Sequence, residues 1–191
     1  INSQPAIFTL SCVYLALLGG FLPDYVAGHS LGEYSAVVAS KVLSFADTLK
    51  LVRARAELMN EAAQVNPGVM VAVIGLETST IEELVRENRL AGVIEIANYN
   101  CPGQVVISGE ERIVDQVGII LKEAGAKRLI KLAVSGAFHS SLVKPAEVKF
   151  ERVLETFSFR DAELPIVSNY TARPTVNALE IKENLAKQIS A

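Results

Sequence analysis

The chain of 191 residues is 50% hydrophobic and 20% charged, with a formal net charge of −3. That length buries a substantial core, as one domain or a domain with a subdomain. The mild acidity, without any basic block, argues against nucleic acid as a partner. Cys12 and Cys101 make no metal-ligand spacing and no disulfide framework, which fits reduced cysteines of a cytoplasmic protein; a single bridge between them is the alternative.

Taken in chain order, Ser3 and Pro5 read as a helix start, and the helix is predicted to run to about Leu18, where Gly19-Gly20 ends it. The stretch from Pro5 to Leu22 carries no charge. It lacks the preceding positive region of a signal sequence. It is also short for a membrane span and is interrupted by Thr9, Ser11 and the glycine pair, so it reads as a fully buried helix. Phe21 to Asp24 then turns the chain into a short strand, Tyr25-Val26-Ala27, expected to be buried.

Gly28-His29-Ser30-Leu31-Gly32 fits the Gly-x-Ser-x-Gly nucleophile elbow. Passing from strand to helix within a few residues forces the central serine into a strained conformation, and the two glycines remove Cβ atoms that would collide in the turn. The small-residue run from Glu33 to Ala39 is suited to a helix packed closely on a sheet. Ser30 then sits at a helix N-terminus, where unpaired N–H groups and the dipole favour developing negative charge. Ser44-Phe-Ala-Asp47 reads as a cap for the next helix, with Leu49, Val52, Ala56 and Met59 on one face and Arg53, Arg55 and Glu57 off it.

From Gly68 the pattern changes. Val69 to Gly75 reads as a strand and Ser79 to Asn88 as an amphipathic helix. Val93 to Ala97 and Gln104 to Ser108 are strands flanking a turn from Asn98 to Gly103. Glu110 to Ala124 is a helix ended by Gly125, and Arg128 to Ala133 a fourth strand. The order β-α-β-β-α-β is the ferredoxin-like pattern. The expectation is therefore an α/β body, residues 1–66 and 135–191, with an inserted ferredoxin-like subdomain at 67–134. His139 to Phe157 is predicted helical, with Pro145 near its start or at a kink. Leu164 to Ser168 reads as a strand of the main sheet, and Ile181 to Ser190 as a final helix.

A serine becomes a useful nucleophile only when a base takes its proton. Only His29 and His139 are available. Neighbours on a strained turn point apart, so His29 reads as a turn residue or a substrate contact. His139 follows a Gly136-Ala137 turn and precedes Ser140-Ser141 at a helix start, where a lone histidine is more often a cap or a satisfied surface group than a base. Asp161 and Glu163 are candidates for an acid that orients the histidine, but they read more readily as solvated loop charges. Arg55, on a helix suited to packing, would ordinarily snorkel. Asn98, Asn100 and Gln104 read either as turn chemistry or as substrate contacts.

The extended stretch from Gly28 through Glu33 and Tyr34 to Ala36 is more specific than the elbow. With Leu51-Val-Arg-Ala-Arg55-Ala-Glu-Leu-Met59 and Ser135-Gly-Ala-Phe-His139-Ser-Ser-Leu-Val143, in that order, it resembles the malonyl-CoA:acyl carrier protein acyltransferases of fatty-acid and polyketide synthesis. The resemblance runs through nearly the whole chain. It implies a parallel-sheet body resembling the α/β-hydrolases, and a malonyl group carried from coenzyme A to the phosphopantetheine thiol of acyl carrier protein through an acyl-serine. Ser30 and His139 would form a catalytic dyad, the histidine oriented by a backbone carbonyl, with the Leu31 N–H donating to the oxyanion. Arg55, rather than Arg53, would hold the malonyl carboxylate with its planar fork. Gln4, His29 and Asn100 would lie about the substrate. Neither metal nor cofactor is implied, and no membrane. Lys127, Arg128, Lys131 and Lys144 would face an acidic carrier.

The resemblance has departures. The family's opening strand and Gly-Gln-Gly loop, and its later strand, site glutamine and Gly-Pro-Gly turn, are not recognised here, so the chain reads as an internal piece truncated at both ends. Two rival readings accompany it: a serine esterase or thioesterase using the same elbow, and a catalytically weak fragment of an acyltransferase.

Overall fold

The structure, a computed structural model, describes residues 2–20 and 22–191, and at position 90 the backbone alone. Ile1, the first residue of the expected body, and Phe21, in the turn expected before the elbow strand, lie outside the described residues. The fold is mixed α/β and divides into two compact units: Ile1–Leu58 with Glu147–Gln188, and Met59–Ala146 with Ile189–Ala191.

The first unit opens with helix α1 (Ser3–Leu18), which ends where Gly19 and Gly20 take positive φ. Strand β1 (Val26–Ala27) leads through the Gly28–Leu31 turn into α2 (Gly32–Ala39), and α3 (Phe45–Val65) follows. The α3 start is capped as its sequence predicts: the Ser44 Oγ accepts from the Asp47 N–H at 3.1 Å and donates to the Asp47 carboxylate at 2.9 Å. β1 runs parallel to β6 (Ile166–Val167), which pairs antiparallel with β7 (Pro174–Thr175), a strand with no clear signal in the sequence. α7 (Ala178–Lys187) begins where the Asn177 side chain accepts from the Glu180 N–H. Tyr34 and Val37 of α2 are wholly buried, Tyr34 meeting Phe150 edge-on at 6.3 Å between ring centroids, while Phe8 of α1 stacks on Phe45 at 5.5 Å.

Two burial expectations need correction. An all-apolar helix reads as buried on every side, yet α1 buries only Phe8 and exposes Ile7, Leu10, Tyr14, Leu17 and Leu18. The elbow strand is not buried either. β1 sits at the edge of its three-stranded sheet, with Val26 half-buried and Ala27 exposed. Among the described residues no helix is long and apolar enough to cross a membrane.

The second unit is a four-stranded antiparallel sheet in the order β3-β4-β2-β5, built from β2 (Val69–Ile74), β3 (Ile94–Cys101), β4 (Gln104–Gly109) and β5 (Arg128–Lys131). Helices α4 (Thr78–Asn88) and α5 (Glu111–Glu123) cover one face. Alternation along β2 explains its unbroken apolar run. Val71 and Val73 join Ile81, Ile107, Ile113 and Leu121 in the core beneath the helices, while Met70 and Ala72 pack on the opposite face with Val106, Leu132 and Phe138. The expected turn from Asn98 to Gly103 is mostly strand. β3 continues to Cys101 through register irregularities at Ile96/Asn98 and Tyr99/Cys101, and the chain reverses over Pro102 and Gly103, whose φ is +76°. Past β5, a 3-10 turn (Ser141–Val143) leads into α6 (Lys144–Leu154), with Pro145 in its first turn.

Candidate active site

The elbow starts from the pairing of β1 with β6, where the Val26 N–H reaches the Pro165 carbonyl at 3.0 Å. Two residues past β1 the direction reverses. The Gly32 N–H bonds the His29 carbonyl at 2.9 Å and the Glu33 N–H bonds the Ser30 carbonyl at 3.2 Å, which starts α2. Ser30 has φ +49°, the left-handed region that a side chain with a Cβ rarely occupies. The glycines are not equivalent. A Cβ on Gly28 would stand 2.0 Å from the Gly32 carbonyl carbon, whereas one on Gly32 meets nothing within 4 Å. Gly28→Ala is therefore expected to destabilise the fold by about 1–3 kcal/mol or more through overpacking. Gly32→Ala, in the first turn of a helix, should be neutral or stabilising by up to about 1 kcal/mol. Denaturant titration of both variants checks this, and equal effects would contradict it.

Asn169, two residues past the end of β6, grips the strained turn. Its Oδ1 accepts from the Ser30 N–H at 2.5 Å and its Nδ2 donates to the Gly28 carbonyl at 2.7 Å. Ser30 is half-buried, and His29 is exposed. Leu31 begins the helical backbone at φ −56° and ψ −34°, so its N–H belongs to the first turn, whose donors have no intrahelical acceptor.

Arg55 reaches Ser30 from α3 and is 2% exposed. Its Nη2 donates to the Ser30 Oγ at 2.9 Å and to the Gln188 Oε1 at 3.1 Å, and its Nη1 donates to the Gln4 Oε1 at 2.6 Å. The guanidinium also lies 5.5 Å from the Tyr34 ring centroid. Each of these hydrogen-bond acceptors is uncharged, and among the described residues the buried Nε–H has no acceptor. Burial pulls the Arg55 pKa down, opposed by the nearby Tyr34 and Glu33. The Arg55 hydrogen bonds all end on neutral oxygens, so within the site its charge is opposed only through space, by the buried Glu33. Arg53, by contrast, turns outward to pair with Glu57 at 3.0 Å.

Three residues of this cluster were not singled out from the sequence. Gln188, at the end of α7, donates its Nε2 to the Ser30 carbonyl at 3.0 Å and to the Glu33 Oε2 at 2.6 Å. A site glutamine was among the features expected to be missing; Gln188 occupies such a position. Glu33 is 2% exposed, and its Oε2 also accepts from the Asn169 N–H at 3.3 Å. Burial raises the Glu33 pKa, opposed by the bonds from Gln188 and Asn169. A usable signal existed for Asn169, which directly follows the predicted strand ending at Ser168: sites in α/β sheets gather at the carboxyl ends of strands.

His139 and Asn100 belong to the second unit. His139 is 8% exposed, with φ +55°. Its segment is held by the Ser140 Oγ donating to the Ala137 carbonyl at 2.6 Å and the Ser108 Oγ donating to the Phe138 carbonyl at 2.8 Å. Asn100 is exposed on β3. Asp161 and Glu163 have structural partners: Asp161 accepts from the Ala178 N–H at the start of α7, and Glu163 pairs with Lys41. Among the described residues no cluster of histidine, cysteine or carboxylate side chains could hold a metal ion.

Known proteins resemble this chain in sequence and in fold. The acyl transferase domain family matches residues 2–190. The malonyl CoA-acyl carrier protein transacylases of Staphylococcus aureus (strain COL) and Bacillus subtilis (strain 168) are each 44% identical over 98% of the chain, which covers 61% and 60% of them. The crystal structure of the transacylase MCAT from Streptococcus pneumoniae superposes with a TM-score of 0.92 at 45% identity, over 98% of this chain and 62% of that one. A malonyl-transacylase of a type II polyketide synthase, solved with its acyl-carrier protein, gives 0.92 at 38% identity over 98% and 62%. The chain thus spans about three-fifths of the length of its relatives, and over nearly all of its own length, elbow and buried arginine included, it belongs to the acyl transferase domain family.

Proposed function

We propose that this chain carries the acyl-serine chemistry of a malonyl-CoA:acyl carrier protein transacylase. The observation that carries the reading is Arg55: a buried guanidinium with an unused Nε–H, 2.9 Å from the Ser30 Oγ. A thioester whose acyl group ends in a carboxylate fits that pairing, with its carbonyl carbon at the hydroxyl and its carboxylate on the fork.

In the first half-reaction Ser30 Oγ attacks the malonyl thioester carbonyl as His139 takes the proton. The Leu31 N–H donates to the oxyanion, and the C–S bond breaks to release coenzyme A, which leaves with that proton as a free thiol. In the second, the phosphopantetheine thiol of acyl carrier protein attacks the acyl-serine, its proton passing through His139 back to Ser30. The group travels on the serine, so the reaction calls for no metal and no cofactor. Gln4, bonded to Arg55, and His29 and Asn100 complete the substrate contacts in this reading. The malonyl-transacylase solved with its acyl-carrier protein supports a carrier partner. Unpaired Cys12 and Cys101 suit a reducing, cytoplasmic setting.

The finer fold reading goes with this. Parallel β1 and β6 support a body of α/β-hydrolase type over residues 1–66 and 135–191, and the strand order β5-β2-β4-β3 around two helices supports a ferredoxin-like subdomain at 67–134. Intact-mass measurement after incubation with malonyl-CoA tests the function. A malonyl adduct on Ser30 that holo acyl carrier protein discharges supports transfer. Free malonate as the main product would support a hydrolase instead, and no adduct would refute acyl-serine chemistry.

A further inference from the structure

Both backbone polar groups of Ser30 meet side-chain amides, and one carboxylate oxygen holds both amide-bearing residues, Gln188 by its side chain and Asn169 by its backbone N–H. The Ser30 N–H is held by Asn169 and the Ser30 carbonyl by Gln188. The Asn169 N–H and the Gln188 Nε2 both donate to the Glu33 Oε2. Glu33 lies three residues beyond Ser30, in the first turn of α2, so the turn that carries the nucleophile also carries the group that fastens its two clamps.

The amide of Gln188 has two possible orientations, and its neighbours settle which one is populated. With Nε2 on Glu33 and on the Ser30 carbonyl, Oε1 faces the Arg55 Nη2 at 3.1 Å. The flipped amide would set an NH2 group against the guanidinium and an oxygen against both the Glu33 carboxylate and the Ser30 carbonyl. Nothing in that arrangement is satisfied. The Glu33 acceptor thus fixes the Gln188 acceptor, and with it one of the three bonds that aim Arg55. It also fixes the residue that opposes relaxation of Ser30 out of its left-handed φ.

We propose that Glu33 is a positioning residue of the acyl-transfer site, holding Ser30 through Asn169 and Gln188 and holding Arg55 through Gln188. The inference rests on Ser30 being the acylated residue and Arg55 the partner of the acyl carboxylate. Glu33 touches neither the reacting atoms nor the acyl group. Its effect is registration of two groups that must face one thioester together, and a displacement of about 1 Å at such a point costs about 10²-fold in rate.

The test uses single-turnover acylation of Ser30 in the full-length enzyme, with malonyl-CoA and with acetyl-CoA as donors. Glu33→Ala should slow acylation by about 10²-fold with malonyl-CoA, and by less with acetyl-CoA, since both clamps loosen but only the malonyl group uses Arg55. The malonyl-to-acetyl ratio therefore falls, which a mere loss of folded protein would not produce. Glu33→Gln keeps an amide oxygen for Gln188 and Asn169, and should retain a rate near that of the unaltered enzyme.

Unaltered acylation in Glu33→Ala would overturn the proposal, as would Glu33→Gln proving as slow as Glu33→Ala. Should Glu33→Ala fail to fold, Asn169→Ala decides, because that residue is exposed and, among the described residues, its side chain bonds only the elbow: slowed acylation supports the clamp, and an unchanged rate overturns it. If the unaltered enzyme takes no acyl group on Ser30, the transacylase reading itself fails, a result separate from any effect of Glu33.

Discussion

Alanine in place of His139 lowers acyl-serine formation from malonyl-CoA by roughly 10²–10⁴ if that histidine takes the serine proton. The loss has a clear origin. A serine hydroxyl at neutral pH is almost wholly protonated, and the Arg55 bond to its Oγ supplies a donor, not an acceptor for the proton. His29 and His139 are the only histidines in the sequence, and His29 stands exposed beside the elbow. The φ of +55° at His139 calls for a second variant. Asparagine adopts left-handed backbone more readily than alanine but is no base, so His139→Asn removes the chemistry while sparing the loop. Both variants should fold, and both should fail to accumulate acyl-serine in rapid-quench experiments on the full-length enzyme. Near-normal acylation in either would transfer the role of base to His29.

The sequence made the elbow legible because its constraint is local. Passing from strand to helix within five residues demands a serine at positive φ and a glycine where backbone segments meet, and these demands appear as letters at fixed spacing. Gly28 satisfies the second demand, while Gly32 has open space where its Cβ would be. The antiparallel unit was legible for the same reason: its strands and helices alternate with distinct periods. The largest departure is the length of β3, because the turn-like residues Asn98 and Asn100 sit on a bulged strand and the reversal waits until Pro102 and Gly103.

What stayed hidden depends on long-range approach. Gln188 lies 158 residues from Ser30, and Asn169 lies 139 away. Neither has local grammar beyond an amphipathic helix end and a strand end. Burial was misread in the opposite direction. The apolar faces of α1 and the strand at the elbow are what a packed core looks like in sequence, yet apolar composition states only what a segment can bury, not how many neighbours it meets.

Substitution of Arg55 separates substrate choice from the nucleophilic step. The guanidinium is buried, its three donated bonds end on Gln4, Ser30 and Gln188, and its Nε–H has no acceptor among the described residues. In the proposed reading, the malonyl carboxylate pairs with this guanidinium. In Arg55→Ala that carboxylate enters a dry site with no partner, and leaving one side of a buried charge pair unmatched costs about 2–5 kcal/mol. Loading of malonyl groups onto Ser30 should therefore fall by more than about tenfold, since 1.4 kcal/mol is one factor of ten. An acetyl group carries no carboxylate, so its loading should fall by less. The ratio of the two acylation rates is decisive, because misfolding or loss of the arginine bond to the Ser30 Oγ lowers both rates together. Arg55→Lys refines the test: it restores a positive charge but not the planar fork, and its malonyl preference should fall between those of alanine and arginine. An unchanged malonyl-to-acetyl ratio in Arg55→Ala would mean that the guanidinium braces Gln4 and Gln188 and takes no part in choosing the acyl group.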